Sequence, residues 1–469
     1  MGQRTIVESE TELLLERAQD LARSFMAEAA SSGGDFSRVE EAGESMIRAM
    51  RPVMMGCGIR ASAATCETVY RCPECGSWLD RWAHRDRELM TSQGPARYRC
   101  VRYRCRSCHQ DHYPLEERNG VAGQRLTLGA RGVAASLAAD VVFGAVARVA
   151  DKAGIQISPS EADRVSREVS GWREEEEQHA VEAYRNGVDK APEPTARRLF
   201  EEMDWSGVST VVLSVDGGKL RSPESRAGEA VWYEARAAVL AQYDAAGKKV
   251  GRTAYLGGVG TLDDIFCLLA AADRELVPKG IRRTFVADDG NGMAERARLF
   301  WGDAVHTLDI YHAGEHVGSA GAACFGERTP MAEMWRRKAR SWLMGDDCAR
   351  TVLRRLVHRM REPDTVADVA SVQREFRYLW RNRHRMRYRS LTAQGMPISS
   401  AAMESGIKQT CIQRLRQPGM MWTRQGGGAM MRLRAAHLSG QLPITVARRA
   451  QAYAQAAARY SPATAAMLA

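Results

Sequence analysis

The stretch from Thr284 to His316 constrains the fold more than any other part of the sequence. A short apolar run ends on Asp288 and Asp289, two glycines follow, and residues 293–301 then have helical spacing before a second strand-like run at 305–310. Strand, turn, helix and strand in this order predict an α/β layer. Carboxylates at the carboxyl ends of adjacent strands lie where open α/β sheets place their sites. On this stretch alone, two solvated turn acids are an equally good interpretation.

The preceding residues complete the sheet pattern. A buried-strand run begins at Val208 and ends in Asp216, a hairpin of two long strands follows, and residues 262–276 have helical spacing. Three strands, a helix, a strand, a helix and a strand form the ribonuclease H-like order, in which the first and fourth strands are neighbours. This order predicts that Asp216 and Asp289 face each other across one short gap.

The cysteines indicate a metal site. Seven of the eleven lie between Cys57 and Cys108, and four of them form two CxxC pairs: Cys72 with Cys75, and Cys105 with Cys108. Two such pairs at this separation predict a zinc ribbon, in which four thiolates close a tetrahedral structural site. Free thiols or a redox pair are the alternatives, and neighbouring Cys100 is a less favoured competing ligand. Cys57 and Cys66 leave a second site open.

Charge and length limit the class of protein. The 469 residues carry a formal net charge of +10, supplied mostly by clustered arginine. This balance favours a polyanionic partner, nucleic acid before an anionic membrane. No apolar run reaches about 18 residues, so no membrane span is expected. Arg4 and Glu8 stand where a secretory signal needs apolar residues, which argues against secretion.

Two other segments are rich in arginine. Five arginines alternate with Tyr98 and Tyr103 around the second CxxC pair, which predicts either a nucleic-acid face or a solvated basic strand. Residues 374–390 contain seven arginines and four aromatic residues, Phe376, Tyr378, Trp380 and Tyr388. We expect the aromatic side chains to pack into a core and the arginines to contact DNA. The predicted DNA-binding residues are Arg377, Arg381, Arg383, Arg385, Arg387, Lys408, Arg414 and Arg416.

The flanking segments are predicted to be helical. Residues 1–60 form helices interrupted near Ser31 to Gly34, and Val133 to Ala153 is a further helical segment. Ser158 begins the next helix with capping-box spacing to Glu161. A helix-turn-helix and an ordinary helical hairpin both fit this region.

A third carboxylate, Glu404, lies near the start of a predicted helix, Met403 to Leu415. It is either a solvated residue of the first helical turn or a partner of Asp216 and the second strand-end acid. Three converging carboxylates suit two divalent cations, because Mg²⁺ relieves their mutual repulsion. Two such ions support in-line phosphodiester displacement, and Lys408 or Arg414 would hold phosphate nearby.

Several motifs resemble those of bacterial insertion-sequence transposases of the Kra type, which belong to the DDE class and are related to Mutator-like transposases. The matching motifs are CPECG with a later CRSC and PLEERNG, SVDGG, ADDG followed by TLDIYHAGEH, and MESGIKQTCIQRLRQPGMMW followed by AMMRLRAAHLSG. The resemblance covers roughly Cys72 to Gly440, and the final block is its most specific part.

The resemblance implies a DDE triad of Asp216, Asp289 and Glu404 that binds Mg²⁺ or Mn²⁺. The family usually has one aspartate, directly before the glycine of this motif. Asp289 directly precedes Gly290, so it is the preferred match. Asp288, which can also end the strand, remains an alternative for the second position. An aromatic pair that the family often shows after the glycine is replaced here by residues 291–294.

The resemblance also implies an aspartate-x-x-histidine motif, which matches Asp309 and the accessory residue His312. Asp309 ends a strand-like run as well, so it is a further alternative for the second acid. The implied partners are DNA, as terminal inverted repeats and target DNA, and a second copy of the chain, since paired ends require at least a dimer. A bacterial cytoplasmic, nucleoid-associated location would follow.

The expected architecture is α/β, with a ribonuclease H-like catalytic core interrupted by a helical insertion and preceded by a zinc ribbon and a helical DNA-binding region. The expected segments are an N-terminal helical region at 1–65, the zinc ribbon at 66–117, the helical region at 118–200, the core at 205–315 and 395–440, the basic insertion at 316–394 and a C-terminal helix at 441–469. The alternatives to a transposase are a catalytically silent, domesticated DNA-binding protein and a structure-selective ribonuclease H-like nuclease.

Overall fold

A computed structural model describes residues 2–64, 69–187, 199–200, 203–225, 229–288, 290–362 and 366–460. These residues form a mixed α/β structure that is mostly helical and contains two sheets. The chain divides into an N-terminal unit, Met1–Trp172 together with Leu442–Ala469, and a central unit, Arg173–Gln441. None of the described helices is both long and apolar enough to cross a bilayer.

Two long helices and a small antiparallel sheet form the first part of the N-terminal unit. Their bounds are α1 (Gly2–Ser31), α2 (Phe36–Ala64), β1 (Tyr70–Arg71), β2 (Trp78–Thr91), β3 (Gly94–Cys105) and β4 (Asp111–His112), and the strands pair in sequence order. The predicted break after α1 is confirmed. Gly33 and Gly34 adopt positive φ angles there, which side chains larger than glycine rarely tolerate.

Helices complete the N-terminal unit. They are α3 (Pro114–Arg118), α4 (Leu128–Asp140), α5 (Phe143–Lys152), the start of α6 (Pro159–Arg185) and the C-terminal helix (Leu442–Ala457), which packs against α3 and α4. The single helical segment predicted for Val133 to Ala153 is wrong, because Val141 and Val142 are extended and separate α4 from α5. The predicted start of α6 is confirmed, since the Glu161 N–H donates to Ser158 Oγ at 3.1 Å.

A five-stranded sheet organises the central unit. Its strands are β5 (Thr210–Arg221), β6 (Trp232–Tyr243), β7 (Lys249–Gly258), β8 (Arg282–Ala287) and β9 (Val305–Leu308), in the spatial order β7-β6-β5-β8-β9. The first three strands are antiparallel, whereas β8 and β9 run parallel to β5. The first and fourth strands of this sheet are therefore hydrogen-bonded neighbours, as the sequence predicts.

Two helices cover one face of this sheet. They are α7 (Leu262–Leu276) and α8 (Met293–Phe300), and α7 begins at a capping box between Thr261 and Asp264. Phe266 and Leu269 pack in one buried cluster with Leu213 of the central strand. This core fixes β5 and β8, and with them the residues that follow their paired segments.

A helical segment with its own core follows β9. Its helices are α9 (Ile310–Phe325), α10 (Pro330–Leu343), α11 (Cys348–Met360), α12 (Val369–Asn382) and α13 (Tyr388–Ala393). The chain then forms α14 (Ala401–Ile407), one π-helical turn (Lys408–Ile412), α15 (Gln413–Leu415) and α16 (Arg424–Leu438). Short 3₁₀ turns lie at Gly290–Gly292, Arg383–Arg385 and Ala458–Tyr460.

The predicted end of the first strand is corrected. β5 does not stop at Asp216 but continues to Arg221, because β6 keeps pairing with it as far as Trp232. Gly218 lies inside the strand rather than in a turn. A Cβ at this position would meet Cys411 Sγ at 3.0 Å, so the glycine permits a close approach of the chain after α14 to the sheet.

Candidate functional site: a carboxylate cleft and a four-cysteine cluster

Three aspartates form one row on neighbouring parallel strands: Asp216 lies in β5 just past its pairing with β8, and Asp288 and Asp309 follow β8 and β9. Leu213 is opposite Phe285 in the β5–β8 pair, and Ala287 is opposite Leu308 in the β8–β9 pair. Continuing the first register by three residues places Asp288 opposite Asp216. Continuing the second by one residue places Asp309 opposite Asp288. Residues opposite each other on adjacent strands share a face of the sheet, so the three carboxylates meet at one edge.

The row opens into a cleft of about 220 Å³. The acidic and histidine side chains that line it are Asp216, Asp288, Asp309, His312, Glu315 and Glu404. The structure thus brings together the first and third predicted triad members with both alternatives for the second. Asp289, the preferred second member, lies outside the described residues, and its assignment stays a prediction.

The environment of Asp216 opposes ionisation. Burial raises the pKa of this carboxyl, although the Gly217 N–H, which donates to Asp216 Oδ1 at 2.7 Å, acts in the opposite direction. The nearby Asp288 carboxylate raises the pKa further, and His312 lowers it. A carboxylate that is both desolvated and close to a second one gains from a cation between them. Carboxylate oxygens are the ligands that hard divalent ions prefer, but the described acids of the cleft are not close enough to one another to form an ion site.

Asp309 has a structural task within the cleft. It is only 5% exposed, and its Oδ1 accepts the His312 N–H at 2.8 Å as the N-cap of α9. Its Oδ2 accepts from the Ser400 N–H and from the Ser400 hydroxyl, the latter at 2.9 Å. Asp309 therefore ties the start of α9 to the residue just before α14, whereas Asp288 accepts the Gly290 N–H.

Glu404 reaches the cleft because α14 lies close to the sheet. A Cβ on Gly406 would meet Val239 Cγ1 at 2.7 Å, so this position has no room for a side chain. Ile407 packs beside Gly218 of the central strand. Glu404 stands in the first turn of α14 and is exposed. A helix held this near the strands delivers its carboxylate to the row of aspartates.

His312 is the outer member of a histidine cluster. Its Nε2 lies 3.3 Å from Nε2 of His316, one helical turn later, and its Nδ1 lies 3.3 Å from Glu315 Oε2. His316 Nδ1 contacts the buried Glu375 carboxylate of α12 at 2.5 Å, and the Tyr378 ring stacks on it at 3.6 Å. The helical insertion therefore orients the histidine at the cleft. The His-x-x-x-His spacing was a signal that sequence reasoning overlooked.

Arg385 corrects one predicted DNA contact. The side chain is buried, 1% exposed, and its Nη2 donates to the carbonyl oxygen of Ala287 at 2.9 Å, with longer contacts to those of Asp288 and Thr307. Its Nη1 donates to Asn382 Oδ1 at 2.8 Å. This guanidinium holds the ends of β8 and β9 from behind the cleft. The predicted DNA contact is wrong for Arg385, because the side chain is buried and its two terminal nitrogens donate to groups of the protein.

Arg414 requires the same correction. It is buried, with its guanidinium 5.6 Å from the centre of the Trp422 ring. The remaining predicted DNA-binding side chains are exposed: Arg377, Arg381, Arg383, Lys408, Arg387 and Arg416. The aromatic residues of the same segment are mostly packed as expected. Tyr388 is fully buried, and Trp380 is the exception at 49% exposure, with Arg383 stacked 4.2 Å from it.

The four predicted cysteine ligands form the second candidate site. The Sγ atoms of Cys72, Cys75, Cys105 and Cys108 all lie within 4.8 Å of one another. Cys100 is fully buried in a separate apolar cluster and is not a member, as expected. Among the described residues, this is the one group of three or more such side chains close enough to hold an ion such as zinc.

The two turns that carry these cysteines are alike. The residue after each second cysteine has a positive φ, 71° at Gly76 and 58° at His109. The Ser107 and Cys108 N–H groups donate to Cys105 Sγ, each at 3.4 Å. The glycine in CPECG indicates a positive φ at Gly76. Nothing in the sequence indicates the same conformation at His109, since histidine seldom adopts it.

The thiols are arranged for a cation. The Ser77 N–H and hydroxyl lower the pKa of Cys75 to about 6. The Gln110 N–H acts to lower the pKa of Cys108, but the neighbouring thiols raise it to about 12. Four thiols this close do not all ionise by themselves, and a metal ion removes that conflict.

The basic strand beside the cluster is paired within the sheet. Cross-strand or nearby ion pairs join Arg97 to Glu88, Arg99 to Asp86, Arg102 to Asp111 and Arg106 to Asp80. Arg104 lies over the Trp82 ring at 5.0 Å. These arginines, on which the predicted nucleic-acid face of the strand depended, are therefore paired with groups of the same sheet. The sequence alone does not predict these ion pairs, because the acidic partners lie on the neighbouring strands β2 and β4.

Both candidate sites rest on the geometry of this chain alone. No protein-family model matches the sequence. A search of curated proteins likewise finds no match to it.

Proposed function

We propose that the protein is a DDE transposase, which cleaves DNA strands at insertion-sequence ends and joins them to target DNA. One observation carries the proposal: carboxylates from three distant segments, at Asp216, Asp288 and Glu404, line one cleft at the edge of a sheet. Phosphodiester displacement with two metal ions requires such a convergence of oxygen donors.

The sheet order supports a ribonuclease H-like core. Three antiparallel strands are followed by two that run parallel to the first, with the acids on the first and fourth strands in neighbouring positions. The helical segment between β9 and α14 then stands where the resemblance places an insertion before the glutamate. In this proposal Asp288 takes the place that the sequence analysis gave to Asp289, because the strand register aligns it with Asp216.

Asp216, Asp288 and Glu404 would hold Mg²⁺ or Mn²⁺, which when bound supplies Lewis-acid stabilisation of the phosphoryl group and activates the attacking hydroxyl. The chain's own residues set the geometry. Asp309 fixes α14 through Ser400, and Arg385 fixes the strand ends. Lys408 lies one helical turn after Glu404 and is exposed, so it can bind a phosphate beside the cleft.

The four cysteines would hold zinc in a structural role, because four thiolates leave no open coordination position. The ribbon would then shape the N-terminal unit rather than take part in catalysis. The exposed arginines of the insertion, including Arg377, Arg381 and Arg387, are the proposed DNA contacts. We propose that pairing of two DNA ends brings two copies of the chain together.

The test is strand cleavage on a duplex that carries the DNA flanking the gene, in Mg²⁺ and in Mn²⁺. The wild-type protein should nick it at one position, and Asp216→Asn should abolish nicking while binding persists. The Asn side chain keeps the shape of the carboxyl group but loses its charge. Asp346→Asn is a matched control, since this exposed carboxylate pairs with Arg389 at the surface.

Different results would identify the alternatives. Binding without cleavage by the wild-type protein would favour a silent DNA-binding protein of transposase origin. Cleavage that follows DNA structure rather than the flanking sequence would favour a structure-selective nuclease. Cleavage by Asp216→Asn at the wild-type rate would remove the carboxylate cleft from the mechanism altogether.

A further inference from the structure

A chain of buried polar contacts runs from the four-cysteine cluster to the C-terminal end of the described chain. His112 Nε2 lies 3.4 Å from Cys72 Sγ, and His112 Nδ1 lies 3.2 Å from the Tyr460 hydroxyl oxygen. The Tyr460 hydroxyl donates to Glu117 Oε2 at 2.6 Å. Cys72, His112 and Tyr460 are all buried, and Tyr460 is only 1% exposed. All these residues belong to the N-terminal unit.

The apolar surroundings hold these groups in place. Tyr460 packs in one cluster with Cys72, Cys105 and Tyr103. Its ring lies edge-on to that of His112, with the centres 5.7 Å apart. Arg459 donates to the same Glu117 oxygen at 3.0 Å. Polar groups in such a low-dielectric site interact more strongly than in water, so each contact is worth more than at the surface.

His112 is not itself part of the cluster of mutually close ligand atoms, which the four cysteines fill. It contacts the sulfur of one of these cysteines, Cys72, instead. A thiolate that binds a metal accepts hydrogen bonds. The Tyr460 hydroxyl gives its proton to Glu117, so its oxygen accepts from His112 Nδ1–H. An imidazolium ring, with its second N–H at Nε2 directed at the Cys72 sulfur, then stabilises the thiolate charge and fixes the ligand's position. Partners of this kind typically change metal affinity by a factor of about 10 to 100.

We propose that His112, Tyr460 and Glu117 form the outer shell of the metal centre, so that residues at the C-terminal end of the described chain set how tightly the cysteines hold their metal. Cys72 is the ligand through which they act. This inference is independent of the proposed strand-cleavage function and depends only on metal binding by the cysteine cluster.

The coupling must be reciprocal, because two linked equilibria affect each other by the same factor. If docking of Tyr460 tightens metal binding, then bound metal tightens docking of Tyr460 equally. Removal of the metal should therefore loosen the C-terminal helix, although none of its residues is a metal ligand. A purely local zinc ribbon would not show this effect.

The experiment measures transfer of zinc from the full-length protein to a chelating dye. His112→Ala should release zinc about 10 to 100 times faster than wild type. Tyr460→Phe keeps the ring and removes the hydroxyl contacts with His112 and Glu117. Because only the contact with His112 leads to the metal ligand, about fivefold faster release is expected. His112→Gln retains a donor near the position of Nε2 and should fall between wild type and His112→Ala.

Tyr453→Phe is the control on the same helix. Its ring packs over Gly120 and beneath Arg449, and the variant keeps this packing, so zinc release should be unchanged. Hydrogen exchange of residues 442–460 with and without zinc is the second readout, and zinc should slow it in wild type more than in Tyr460→Phe. If His112→Ala does not fold, the conservative tyrosine variants decide the question.

Wild-type release rates in both His112→Ala and Tyr460→Phe would overturn the proposal. So would equal acceleration in Tyr453→Phe, which would indicate a general loss of helix packing. A full-length protein that binds no zinc at the four cysteines would remove its basis.

Discussion

The four-cysteine cluster and the carboxylate cleft are built on opposite principles. At the four-cysteine cluster, backbone N–H groups donate to sulfur and the turns are shaped around the ligands. At the carboxylate cleft, burial and a neighbouring acid oppose the charge of Asp216, and the supporting contacts go to Asp309 and to strand-end carbonyl groups instead. The first site is part of what holds its unit together. The cleft is held in place by residues other than Asp216, Asp288 and Glu404, so we expect these three acids to be replaceable without loss of the fold.

The largest effect should follow removal of two thiols. Cys105→Ser combined with Cys108→Ser should lose the metal and unfold the N-terminal unit, since structural zinc contributes on the order of 10 kcal/mol to folding. The central unit should keep its own transition. Metal analysis and calorimetry would measure both, with Cys267→Ser as the control. A variant that lacks metal but melts like wild type would make the cluster dispensable and end the contrast.

The next effect separates the acids of the cleft. Asp288→Ala should reduce metal-dependent cleavage by roughly 10³-fold or more, as expected for loss of a metal ligand, with little change in stability. Asp309→Ala should instead destabilise the central unit by about 1 to 2 kcal/mol through the lost helix cap. Rate measurements and urea unfolding on both variants, together with Asp289→Ala, test the assignment. A dead Asp289→Ala beside an active Asp288→Ala would restore the sequence-based choice.

Arg385 tests how the cleft is supported. Arg385→Ala should lower the free energy of unfolding by about 3 kcal/mol, because buried carbonyl groups lose their charged donor. Arg387→Ala, two residues away and exposed, should change stability by less than about 0.5 kcal/mol but weaken DNA binding. Urea unfolding and binding at two salt concentrations distinguish the two. Equal stability of both variants would show that the strand ends do not depend on this guanidinium.

The smallest effect concerns pH and stability without metal. The folded protein raises the pKa of Asp216, mainly through burial. The protonated Asp216 side chain therefore contributes to the free energy of unfolding, and this contribution is complete below the pKa of about 3.9 that an aspartate has in the unfolded chain. It is lost as pH rises through the higher folded pKa. In chelator at neutral pH, Asp216→Asn should therefore melt about 2 °C above wild type, and Mg²⁺ should stabilise wild type but not the variant. Calorimetry across pH 4 to 8 that shows the opposite order would contradict this.

Local patterns predicted much of the fold. The hairpin ending in Gly258, the helix from Leu262 to Leu276 and the four cysteine ligands depend on residues close in sequence, and all are present. The fate of individual arginines was not predictable in this way. Arg385 and Arg97 look alike in sequence, yet one binds strand-end carbonyls and the other a cross-strand glutamate. Such pairings exist only after distant segments meet.

The identity of the second acid of the cleft could not be predicted from the sequence either. Choosing between Asp288 and its neighbour requires the register between β5 and β8, and a shift of one residue moves a side chain to the other face of the sheet. Composition and spacing do not contain this register. It comes from Leu213 pairing with Phe285, a contact between residues more than seventy positions apart.

The division of the chain into two units also determines the order in which the residues of each unit are synthesised. The N-terminal unit begins with the first residues but includes the C-terminal helix, whereas Arg173–Gln441 is continuous. A ribosome therefore completes every residue of the central unit before it makes the partner of α3 and α4. The part of the protein that starts first is finished last. A stop codon between Gln441 and Tyr460 would retain every residue of the carboxylate cleft and leave the cysteine cluster without Tyr460.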